Sequence, residues 1–358
     1  MIFNRKKLQL IYKFFISQLF KIIYGNVIFS NKNDNDVKFT EINISNQNYI
    51  FVEINNGRIF TDYVENVAII NKNQILNHVS YQQVKGEFKD PSLNVVIKKG
   101  TPKFKKKIKG KVFSLVQGAS GNNNYFHWMF DVLPRLIMLE KVYNLNEVDY
   151  FYTPQIKSWQ LSTLSVFNIS EEKLINSNHY RHIQSDKILA VEHPWYNKGR
   201  ILDQAKKIPN WIINEIASRF EEYGKKFECS NKIFIDRRES HYNHCQIVND
   251  EEIKIYLKKK GFAILKIGKL NFFEQIHLFQ NAKIIIGAHG AAFANLIFCK
   301  PNTKVLDIIP ENHPNTVDEK IAKLKNLDFK YIKTKELSVE KRANGDIFLP
   351  IEKIDTIL

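Results

Sequence analysis

From Lys232 to Ile309, short apolar runs alternate with amphipathic segments at a pitch that leaves few folds open. Lys232–Asp236 (KIFID) reads as a strand running into Arg237-Arg238, Asp250–Lys260 as a helix and Phe262–Ile267 as a second strand. Phe272–Asn281 comes next as a helix, Lys283–Gly287 as a strand, Ala291–Phe298 as a short helix and Val305–Ile309 as a further strand. Strand and helix alternating in this way predict a parallel sheet with helices on both faces, a doubly wound Rossmann-like unit. Such sheets bind ligands at the carboxyl ends of their strands, so the residues at those ends carry the functional reading.

The remainder of the chain is organised differently. Residues 37 to about 115 contain short alternating runs such as NYIFVEI, RIFTDYV and NVVIKK, which read as strands joined by turns. From about residue 126 helical and strand patterns alternate again, and Lys206–Tyr223 reads as a long helix leading into the last unit. The expected division is residues 1–36 as a basic helix and polar linker, 37–205 as a first lobe and 206–358 as a second. The last residues are expected to pack back onto the first lobe.

Composition narrows the class. With 44% hydrophobic and 13% aromatic residues, the chain can fill sizeable cores. Cys229, Cys245 and Cys299, none in a C-x-x-C pair, exclude a disulfide scaffold and a cysteine zinc knuckle, and fit a reduced, intracellular chain. No run of 18 apolar residues marks a membrane span. The net charge of +16 suits acidic partners, but lysine supplies most of it, as compositional bias alone can do. Residues 4–24 have Leu8, Ile11, Phe15, Leu19 and Ile22 at helical spacing among Arg5, Lys6, Lys7, Lys13 and Lys21. This segment suits either the surface of an anionic membrane or the protein's own core, and its interruptions make it a poor spanning helix or signal peptide.

Three constellations carry candidate chemistry. Ile284–Ala292 (IIIGAHGAA) is a buried strand entering a small-residue loop and a helix start, where Gly290 permits positive φ and close backbone approach and free N–H groups face an anion. Gly287, His289 and Ala291 belong to the same loop. Arg237 and Arg238 place two guanidinium forks at a strand's carboxyl end, a geometry suited to phosphate oxygens, with a surface ion pair to Asp236 or Glu239 as the alternative. His127, Asp131 and Arg135 fall at i, i+4 and i+8 of a helix in NNNYFHWMFDVLPR, where a His–Asp pair can act as an oriented general base. Asp34-Asn35-Asp36 lies in a polar linker, and His241, His244 and Cys245 lack a closing ligand set, so neither is read as a metal site. The lysine run Lys103–Lys111 reads as a solvated hairpin or a phosphate-facing patch.

Together the segments NNNYFHWMFDVLPRL, IFIDRRESHYNHCQIVNDEEI and FFEQIHLFQNAKIIIGAHGAAFANLIFCKPNTKVLDIIPE resemble glycosyltransferase family 61 over about residues 110–315. That family includes bacterial capsule and lipopolysaccharide transferases, plant xylan-decorating enzymes and animal protein O-glycosyltransferases. The resemblance implies an α/β GT-B-like fold with two Rossmann-like lobes, and an inverting, metal-independent transferase. It implies a nucleotide-sugar donor and a saccharide or lipid-linked saccharide acceptor, with no cofactor, no metal and no nucleic acid. By position, Arg237, Arg238, Gly287, His289, Gly290, Ala291, Asn295, Asn249 and Glu252 are donor-side, and Asn124, Tyr125 and Arg135 acceptor-side. Asp131, or His127 backed by it, is the candidate base. The family's arginine pair just before the asparagine is replaced here by Cys245-Gln246. Competing readings are a basic nucleic-acid binder, which needs a basic surface interleaved with aromatics, and a non-catalytic sugar-nucleotide-binding subunit. The expected location is the cytoplasm, or the inner face of the cytoplasmic membrane through residues 4–24.

Overall fold

The computed structural model describes residues 5–30, 35–63, 66–84, 87–116, 124–195, 199–238, 245–314, 316–337 and 345–355. Asp34, His241 and His244 lie outside them. The chain divides into two compact units, Met1–Gln204 and Ala205–Leu358.

In the second unit, strands β1 (Lys232–Ile235), β2 (Ala263–Leu265), β3 (Ile284–Ala288), β4 (Lys304–Pro310) and β5 (Asp328–Thr334) form one sheet. Every pairing is parallel and the order is β2-β1-β3-β4-β5. That order reverses direction between β1 and β3, the switch point at which open α/β sheets leave a crevice. On one face Phe234, Ile286, Leu306 and Ile332 pack with Ile253 and Leu257 of the helix Asp250–Lys259. Ile347, Leu349 and Ile354 join this core, so residues 345–355 pack on the second unit. On the opposite face, a Cβ at Gly287 would lie 2.9 Å from Ile235 Cβ and 3.5 Å from Phe293, which shows how closely the 3₁₀ helix Ala291–Phe298 covers the strands.

The first unit joins an antiparallel region to a parallel one. Val37–Ile44 and Gln47–Asn55 form a hairpin whose turn residues Ser45 and Asn46 have φ 49° and 63°, as a two-residue primed turn requires. Lys106–Ser114 lies parallel to both His182–Val191 and Tyr150–Thr153, with Leu174–Asn176 beyond. The segment from Tyr125 to Glu140 is thus the crossover between two neighbouring parallel strands, and its beginning lies at their carboxyl end.

The N-terminal helix Arg5–Tyr24 belongs to the first unit and buries only Phe20. Leu8, Ile11, Phe15, Leu19 and Ile22 share the side away from Phe20 and are exposed, Phe15 by 66% and Ile22 by 82%. The helix carries no acid in its first turn, and among the described residues no helix is long and apolar enough to cross a membrane.

Candidate active site

The crossover in the first unit is not a uniform helix. Asn124 accepts the His127 N–H (3.3 Å), a helical turn runs from Tyr125 to His127, a π-helical turn from Trp128 to Val132, and α-helix resumes at Leu133. Pro134 has no N–H to give to the carbonyl of Phe130, four residues back, which favours this irregularity. The Trp195 indole N–H takes that carbonyl instead (3.1 Å) and also Oδ1 of Asp131 (2.8 Å). Oδ2 of Asp131 faces His127 Nδ1 at 2.8 Å and His193 Nε2 at 3.7 Å.

Asp131 has no exposed surface. Burial would raise its pKa, but the charge and hydrogen bond of His127, helped by His193, bring it down to about 2. Burial lowers the pKa of His193. An ionised Asp131 accepting from Nδ1 leaves Nε2 as the proton-accepting nitrogen of His127, which is partly exposed. Asp131 therefore offers no surface to a bound molecule, whereas the His127 ring does. Arg135 is fully buried within reach of the Asp131 charge, and its guanidinium donates to the Leu115 carbonyl (2.9 Å), so it presents no surface to an acceptor. Tyr125 packs on Trp159, with ring centroids 5.2 Å apart.

In the second unit, the residues after β1 and β3 meet at the switch point. Arg237 donates through Nη1 to the His289 carbonyl. Its guanidinium lies over Gly290, where a Cβ would come within 2.6 Å of Cζ. Gly290 has φ 171°, extended backbone open to any residue, so close approach and not positive φ is what calls for glycine. The His289 ring points inward, with Nδ1 3.2 Å from Oδ2 of Asp307 on β4 and 3.2 Å from Oδ2 of Asp318. Against the desolvation that disfavours it, these carboxylates raise the His289 pKa to about 10, so the ring is an imidazolium at neutral pH. Burial raises Asp307. The same three ligand atoms lie within 4.8 Å of one another, a set a small divalent cation could accept. Cys245 is buried near Arg237, and burial pushes its thiol up to about 11.

Other expected donor residues make contacts within the protein. Arg238 turns away to Asp250 (2.9 Å) and Glu251, in a network with Asp236 and Lys254, so the alternative of a surface ion pair describes it better than a phosphate fork. Asn249 clasps the backbone of Leu349 in both directions (2.9 and 3.0 Å), and Glu252 accepts from Asn249. Asn295 is fully buried and donates to Gln275. Ala291 opens the 3₁₀ helix.

Asp307, Asp318, His193 and Trp195 are not among the residues the sequence singles out. Asp307 had a readable signal, a lone acid in the apolar run VLDII. Asp318 looks like any acidic residue in a first helical turn.

A family model described as Glycosyltransferase 61 matches residues 125–306, just over half of the chain. A beta-1,2-xylosyltransferase of Arabidopsis thaliana is 28% identical over 120 residues, covering 28% of this chain and 22% of that protein. A beta-1,2-xylosyltransferase of Oryza sativa subsp. japonica is 37% identical over 60 residues, covering 17% of this chain and 11% of its own length. The chain thus spans about a fifth and a tenth of these two relatives.

Proposed function

The chain belongs to glycosyltransferase family 61, and on that premise we propose that it is a glycosyltransferase, an inverting, metal-independent enzyme of GT-B type. The first unit takes the saccharide acceptor and the second the nucleotide-sugar. The observation that carries this reading is the switch-point assembly, a guanidinium resting on Gly290 beside an imidazolium held by Asp307 and Asp318. The Arg237 guanidinium and the free N–H groups at the start of a helix suit a diphosphate leaving group, whose charge grows as its bond to the anomeric carbon breaks. The acceptor oxygen forms the new bond from the opposite side and passes its proton to Nε2 of His127.

The acceptor we propose is a bacterial surface polysaccharide precursor, of capsule or lipopolysaccharide type, saccharide or lipid-linked, at the cytoplasmic face of the membrane. The exposed stripe of the N-terminal helix supports membrane contact. Its apolar residues face away from Phe20, the one side chain the helix buries, and lysines flank them.

Incubation with a panel of nucleotide-sugars in chelator, with NMR of the product, tests the reading. Turnover of one donor with inverted anomeric configuration supports it, and retention or strict dependence on added metal contradicts it.

A further inference from the structure

The N-terminal helix ends on a solvent-open cleft of about 370 Å³, lined by Ile23, Tyr24, Asp36, Arg58, Lys72 and Lys105 among others. Its deepest cation is Arg58, only 5% exposed. Nη1 lies 3.3 Å from Thr101 Oγ1 and 3.4 Å from His182 Nε2. Nη2 donates to the Lys72 carbonyl (2.6 Å) and to Asn73 Oδ1 (3.1 Å). His182 is neutral: burial brings its pKa down to about 4, and Nδ1 donates to the Lys103 carbonyl, leaving Nε2 as an acceptor toward Arg58. Every one of these partners is uncharged. The Tyr24 ring sits 5.8 Å from the guanidinium carbon, and its hydroxyl accepts the Lys105 backbone N–H (3.0 Å).

Lys105 adds a second cation. Burial lowers its pKa, and the nearby charges of Arg58 and Lys107 lower it further. Among the described residues neither Arg58 nor Lys105 has a carboxylate partner, whereas Lys72 at the rim is paired with Asp36 (2.8 Å). A buried guanidinium without a counter-charge is costly, and here a second cation raises that cost. An open cleft allows an exchangeable anion to supply the balance. Ile23 belongs both to this cleft and to the exposed helix, so the cationic site borders an apolar surface.

We propose that this cleft is a phosphate-binding site in which Arg58 and Lys105 hold a phosphate ester, either a soluble sugar phosphate or the headgroup of a lipid. Its lipid alternative rests on the membrane reading of the N-terminal helix. The cleft itself does not.

Calorimetric titration of the full chain with glucose 1-phosphate probes the soluble source. Co-sedimentation with phosphatidylcholine vesicles carrying dodecyl phosphate, against vesicles brought to equal charge with phosphatidylserine, probes the lipid source. The variants are Lys105→Glu and Lys105→Gln, at a part-buried position chosen because Arg58 also holds backbone together, with thermal midpoints checked against the parent. Either ligand bound, and weakened by about tenfold in Lys105→Glu, assigns the subsite and its source. If vesicles with dodecyl phosphate bind no better than those with phosphatidylserine at equal charge while glucose 1-phosphate still binds, the cleft stands and the lipid source is removed. Failure of both ligands to bind, or binding that is indifferent to Lys105, overturns the proposal.

Discussion

Asp131 is a carboxylate without solvent, kept ionised by N–H groups from His127 and Trp195, with His193 close by. Its work is to fix a tautomer. Asp131→Asn would present an amide N–H to Nδ1 and turn Nε2 into a donor, so transfer should fall by about 10²- to 10⁴-fold while donor affinity holds. His127→Gln should match it. A folded pKa of about 2 against an ordinary 3.8 also makes this carboxylate a source of stability above roughly pH 4, lost as pH falls through 2. That contribution, about 2 kcal/mol, should vanish from the acid limb of the unfolding profile in Asp131→Asn. Gly290→Ala tests the other unit. The added Cβ meets the end of a flexible side chain, so the fold should tolerate it while Arg237 is displaced and donor affinity drops by about tenfold or more. Unchanged donor affinity in a folded Gly290→Ala protein would remove Arg237 from the site.

At the scale of elements, the π turn and the C-terminal tie decide which residues were legible. Helical periodicity places His127, Asp131 and Arg135 on one stripe, and the first pair does meet. The third, Arg135, is buried, its guanidinium held by the Leu115 carbonyl, a partner that periodicity does not name. The rest depends on Trp195, over sixty residues away, accepting the role of hydrogen-bond donor to Phe130. Asn249 shows the same limit: before an acidic helix start it resembles a site residue, but its partner is backbone one hundred residues downstream. Asn249→Ala should therefore cost about 1–2 kcal/mol in chemical denaturation and leave donor affinity unchanged. A selective loss of donor binding in a stable Asn249→Ala protein would return it to the donor pocket.

For the whole molecule, the strand and helix alternation from Lys232 onward anticipates a parallel sheet, because strands buried on both faces must be apolar throughout. The antiparallel half gives fewer clues, since its specificity lies in loops and long-range pairings. The net charge of +16 alone admitted a nucleic-acid binder, a reading that membership of a glycosyltransferase family replaces. Part of that charge lies on the exposed N-terminal helix. Binding to anionic vesicles should weaken steeply with added salt and disappear in Phe15→Glu, and salt-independent binding would argue against an electrostatic membrane contact.

The most direct measurement is calorimetric titration of the matching nucleoside diphosphate, in chelator, across pH 6 to 10.5, for the parent protein and Arg237→Ala. Because His289 is charged up to about pH 10, the parent should bind without metal, with affinity steady near neutrality and falling as the imidazolium loses its proton. Arg237→Ala should bind at least about tenfold more weakly throughout. Binding that requires added metal, or that is the same in Arg237→Ala as in the parent, would contradict a diphosphate site built from Arg237 and His289.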